Sequence, residues 1–133
     1  MELVLLLPIV TLIMLGTIDF ARLFYAAVKV ADASRAGAQY GTQSNLYTAD
    51  FAGMESTAVG DAVNVVGFAV SKVERFCKCE DGSATPCLAP TCAEGPPQIY
   101  VAVRGGYTFE TLVKYPGIPG TIQLSQRTLM RAQ

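Results

Sequence analysis

Uncharged residues fill positions 3–18 without interruption, behind a single carboxylate at Glu2, and apolar residues resume past Asp19 and Arg22 as Leu23, Phe24, Tyr25, Ala26, Ala27 and Val28. The pattern is helix-forming to about residue 45, with no proline in that stretch after Pro8, and predicts one helix over 2–45. Pro8 removes a backbone hydrogen bond, so a local kink or loosening is expected there. Forty-odd helical residues measure about 65 Å, more than any bilayer, so the distal part of the helix must leave the membrane. The uncharged run alone is shorter than the roughly 20 residues a span needs, and residues 20–28 extend it. Asp19 and Arg22, three apart, can pair on one helix face and reduce the cost of immersion. Such a polar interruption has no use in a plain anchor, and suggests a second environment made of protein.

Beyond the apolar run the helix carries small side chains, with Ala33, Gly37 and Gly41 repeating every four residues. That spacing lets another helix or a sheet approach the backbone closely. Alanine alone reflects good helix propensity, but Gly37 and Gly41 weaken an exposed helix by nearly 1 kcal/mol each and call for such an approach.

Residues 45–50 read as a break, after which Asp50 caps a short second helix through about residue 66. Residues 68–79 have strand character. Strict alternation puts Ala69, Ser71, Val73, Arg75 and Cys77 on one face and Val70, Lys72, Glu74 and Phe76 on the other, and neither face is cleanly apolar. Residues 80–97 form a loop rich in Gly, Pro, Ser and Thr. Residues 99–107 are the clearest strand, with Ile99, Val101 and Val103 opposite Tyr100, Ala102 and Arg104. Residues 108–115 continue it past Gly105-Gly106, a candidate bulge. The chain turns at 115–120 and returns as a strand over 121–130. The fold class is therefore α+β: a long N-terminal hydrophobic helix, a short second helix, and a small antiparallel sheet of three strands laid against the long helix. Residues 1–45 form a membrane or filament-core helix and residues 46–133 a surface domain.

Composition narrows the chemistry. The 133 residues carry a net charge of −1 with both signs scattered, which gives a nucleic-acid-binding surface no support. Histidine is absent. With it go the commonest general base, the commonest metal ligand and axial histidine ligation of a haem. No phosphate-binding glycine loop or nucleophile elbow occurs, and the carboxylates show no pairing that assigns acid and base roles. No catalytic, cofactor or metal residue is expected.

Cys77, Cys79, Cys87 and Cys92 crowd into the loop 77–92. An even, clustered set beside a membrane segment reads as two disulfides formed in an oxidising compartment. A four-thiolate zinc site competes, but the spacing lacks the paired two-residue pattern of zinc ribbons. Pairing of Cys77 with Cys79 is sterically disfavoured, which leaves the nested and the crossed connectivity open. A cleaved secretory signal would need a basic stretch before the apolar run and a small-residue site after it, and neither is visible. The aromatic residues Phe20, Phe24, Tyr25 and Tyr40 are read as packing rather than as an electron-carrying stack. Glu2 either sits in the headgroup region or pairs with an α-amino group, its own or a neighbour's.

The stretch Glu2-Leu-Val-Leu-Leu-Leu-Pro8-Ile, followed by Leu15-Gly16-Thr-Ile-Asp19-Phe20-Ala-Arg22-Leu-Phe-Tyr25, resembles the N-terminal signature of the TadE-like pilins. Tyr100-Val-Ala-Val, Tyr107-Thr-Phe109, Pro116 and Leu129-Met130-Arg131 are similar to that family's C-terminal strands. The resemblance implies a leader removed by a prepilin peptidase, a helix that waits in the inner membrane, and pilus assembly machinery that draws it into an extracellular filament of identical subunits. It implies that Glu2 offsets the N-terminal amine of an adjacent subunit, although the acid stands nearer the start here than in typical type IV pilins. It also makes Glu2, Pro8, Asp19, Phe20, Arg22, Gly37 and Gly41 the candidate assembly residues. Other expectations are a minor pilin or pseudopilin that primes or tips a filament, a membrane-anchored module that binds a partner through the cysteine loop, and a redox or metal protein working through its thiols.

Overall fold

The structure is a computed structural model that describes residues 2–114 and 117–132, with side chains from Leu6 onward. Met1, the turn expected at Tyr115-Pro116 and the partner of the Glu2 carboxylate lie outside it. Helix α1 runs over Glu2–Thr42 and is helical through Pro8. A 3-10 turn at Tyr47–Ala49 leads to α2, Phe51–Asp61. Asp50 caps α2 as expected, its carboxylate accepting the Gly53 N–H at 2.9 Å. The Tyr40 hydroxyl donates to the same carboxylate at 2.8 Å, which ties the end of α1 to the start of α2. Helix α2 stops at Asp61, short of residue 66, and a turn follows in which Ala62 and Val65 are buried and Gly67 takes φ 95°. That positive φ is a backbone state glycine reaches without strain.

The sheet is antiparallel with order β2-β1-β3-β4, from β1 Ala69–Lys78, β2 Ala84–Thr85, β3 Gln98–Glu110 and β4 Thr121–Arg131. Three long strands match the expected layout. The two-residue β2, which pairs Cys77 with Thr85 and Lys78 with Ala84, lies inside the expected loop and is too short to show an alternation. Strand β3 crosses Gly105-Gly106 in continuous register with β4. The bulge lies instead across from it in β1, where Val70 pairs with Gly105 and Lys72 with Arg104. The extra residue, Ser71, donates its hydroxyl to the Arg104 carbonyl. A single inserted residue flips every side chain beyond it. For this reason Val70 and Val73, of opposite parity, both pack on the core, and the strand looked mixed on both faces.

Helix α1 lies against β3 and β4, and α2 packs on α1 and β1. Ala38, Met54, Ala58, Val101 and Val103 form the core, flanked by Tyr40, Phe68, Val70, Val73 and Met130. The far face of the sheet is mixed, with Glu74 paired to Lys72 and Arg127 beside a stacked Phe76–Tyr100 pair. Principally the Lys72 ammonium, with Arg127 and Arg104 adding to it, holds the Glu74 carboxyl below the usual carboxylate range. Disulfides join Cys77 to Cys87 and Cys79 to Cys92, the crossed connectivity, and no free cysteine remains. The four-thiolate zinc alternative thereby loses its ligands.

Candidate functional site

The N-terminal stretch of α1 is a bare apolar rod. Leu6, Leu7, Ile9, Val10, Leu12, Ile13, Met14 and Ile18 all expose about half their surface or more, and Phe20 and Phe24 are as open. A contiguous apolar surface of this size marks a protein or membrane contact. The helix is long and apolar enough to cross a membrane over part of Leu6–Thr42, and the window that qualifies is almost wholly unburied. Thr11 and Thr17 donate their hydroxyls to the carbonyls of Pro8 and Met14, so these two polar groups are satisfied within the helix.

Burial along α1 begins at Asp19, which is 6% exposed, and continues through Ala26, Val30, Ala33, Ser34 and Ala38. Arg22 Nη1 donates to Asp19 Oδ1 at 3.1 Å, the pair read from their spacing. What the sequence did not reveal is the rest of the junction. The Leu112 backbone N–H, just past the end of β3, donates to both Asp19 oxygens at 3.1 Å, and the Arg22 guanidinium lies 5.4 Å from the Phe109 ring centroid. Asp19 and Arg22 therefore clasp the helix to the sheet of the same chain. No local pattern marks Leu112 as a donor to a residue 93 positions away.

Gly37 and Gly41 make their close approach to α2 of the same chain. A Cβ on Gly37 would stand 2.7 Å from the Met54 carbonyl oxygen and 3.0 Å from Ala58 Cβ, and one on Gly41 would meet the Met54 thioether at 2.5 Å. Pro8 lies on the open part of the rod, away from both the clasp and α2, whereas Phe20, although exposed, lines a groove beside the clasp with Asp19 and Phe109. Among the described residues, the ring pairs are Tyr40 with Tyr47, 4.8 Å between centroids, and Phe76 stacked on Tyr100 at 5.6 Å. Between the rod and the end of the sheet lies an apolar groove of about 340 Å³, lined by Leu12, Ile13, Phe20, Phe109, Ile118 and Ile122 among others.

The rod and the acid–base pair at its boundary are built from the two residue strings, 2–9 and 15–25, on which the N-terminal resemblance rests. Residues 1–39 match the model of the TadE-like protein family. The match covers the rod, the Asp19–Arg22 clasp and the first part of the small-residue stripe, and stops before α2 and the sheet. Comparison with curated proteins and with solved structures finds no match.

Proposed function

We propose that this chain is a structural, non-enzymatic pilin subunit of an extracellular Tad-like, type IV-related pilus. The observation that carries the reading is the division of α1 at Asp19 into an exposed apolar rod and a half buried under the sheet. Such a helix suits lipid first and a bundle of identical helices afterwards, because apolar burial is kept in both settings. In this reading the rod waits in the inner membrane, a prepilin peptidase removes a leader, and the assembly machinery packs the rod into the filament core. Residues 1–45 supply that helix, and residues 46–133 supply a surface domain hardened by its two disulfides. Glu2 offsets the amine of an adjacent subunit, while Pro8 and Phe20 lie on the surface that neighbouring rods cover.

Cryo-electron microscopy of filaments sheared from the source cells tests the reading. Density for this chain in a helical array around a core of packed N-terminal helices supports it. Filaments built of other proteins, with this chain kept in the membrane fraction, point to a minor pilin, a pseudopilin or an anchored module that does not polymerise.

A further inference from the structure

The β3–β4 hairpin overhangs the apolar rod. Strand β3 runs antiparallel to α1, so that Gly105 lies by Ser34, Phe109 by Arg22 and Leu112 by Asp19. Past Asp19 the chain keeps descending. Ile118 and Ile122 line one groove with Leu12, Ile13 and Gly16. Leu12 is seven residues before Asp19, which places the hairpin about 10 Å into the uncharged part of the helix. The tip is dressed for that position, with Leu112 61% and Ile118 53% exposed.

We infer that the described residues flanking the β3–β4 turn, Leu112 and Lys114 on one side and Ile118 on the other, are a second membrane-contacting element, seated at the boundary of acyl chains and headgroups beside α1. This rests on the reading of α1 as a membrane-spanning helix. The uncharged run 3–18 is already shorter than a bilayer requires, so a membrane that uses all of it has its surface at or beyond Ile18 and reaches the tip as well. The charge pattern agrees. No acid occurs from Thr111 to the end of the chain, and Lys114, exposed at the tip, supplies a cation for lipid phosphates. Three polar backbone groups at the base of the tip have partners, which suits a low-dielectric setting. The Leu112 N–H goes to Asp19, the Thr111 N–H and hydroxyl go to the Gly120 carbonyl, and Pro119 has no N–H. Immersion of 5–10 Å is the usual depth of an interfacial apolar face, which suits a short tip better than a full span.

The chain contains no tryptophan, so one introduced indole reports its own surroundings. The full-length protein is reconstituted in phosphatidylethanolamine–phosphatidylglycerol vesicles containing lipid brominated in its acyl chains. I118W and L112W probe the tip from two exposed positions, V10W probes the rod, and V59W on α2 is the solvent reference. The expected result is a blue shift for I118W and L112W, with quenching at least half that of V10W, and no change for V59W. Tip variants that behave like V59W while V10W is quenched overturn the inference and leave the membrane-spanning helix standing. An unquenched V10W removes the spanning reading, and the tip inference with it. A blue shift at the tip that grows with the protein-to-lipid ratio but shows no quenching assigns the tip to a second copy of the chain, and also overturns the inference.

Discussion

Asp19 illustrates how one side chain serves two readings. Its carboxylate has the helical neighbour that spacing implies, but it is also the acceptor for the Leu112 N–H. Removing it leaves a donor in a part-buried junction without a partner. D19A is therefore expected to lower stability by about 1–3 kcal/mol, and D19N, which keeps an acceptor, by less; urea unfolding in detergent measures both. At Gly37 two effects oppose each other. Alanine gains up to about 1 kcal/mol in helix propensity, but its Cβ presses on the Met54 carbonyl and on Ala58, neither of which can swing away. G37A is expected to be net destabilising by about 1–3 kcal/mol in the same assay. Asp50 gives a pH signature. The Gly53 N–H first, and then the Tyr40 hydroxyl, hold its carboxyl below the ordinary value. Its stabilisation is therefore complete above the unfolded-state pKa and is lost as pH falls through the lower folded value. Urea midpoints followed into acid should show this loss in the natural protein, and D50N should remove the Asp50 share of it.

At the level of elements, β1 shows why a correct strand had an illegible face. The alternation is regular on each side of Ser71 and out of phase across it, so averaging over 68–79 cancels the signal. Strand β3 was legible because it has no interruption and its inward residues Val101 and Val103 are apolar throughout. The cysteine cluster announced two crosslinks, whereas their crossed order depends on β2, a strand of two residues. The closed loops span 10 and 13 residues, so each bridge is expected to contribute about 2–4 kcal/mol. Replacing Cys79 and Cys92 together by alanine should lower the denaturant midpoint accordingly while leaving Cys77–Cys87 intact, which thiol titration verifies.

Across the whole molecule, α1 is one helix with two kinds of surface, exposed and apolar before Asp19 and partly packed from Asp19 onward. Its buried positions begin at Asp19, so the sheet, α2 and the distal half of α1 should fold without the rod. A chain of residues 19–133 is expected to be a soluble monomer with both disulfides and no free thiol. Full-length protein, with its exposed apolar rod, should require detergent or lipid. Size-exclusion chromatography with light scattering distinguishes the two, and loss of the folded circular-dichroism signal in the truncated chain would show that the rod is needed for folding.

The sequence by itself determined the apolar rod, the capped second helix, the strands over 69–78, 98–110 and 121–131 to within a few residues, and the presence of two disulfides. Each of these is written in local signals: periodicity, a capping side chain, turn residues, clustered cysteines. Only the tertiary structure decided what the small and polar positions of α1 face. Gly37 and Gly41 lie on α2, and Asp19 and Arg22 hold the β3–β4 hairpin. The physical reason is that a close approach or a buried carboxylate needs a partner, and the partner is supplied by a strand end or a helix face far along the chain. Spacing states that such a partner is required and carries no information on which segment provides it.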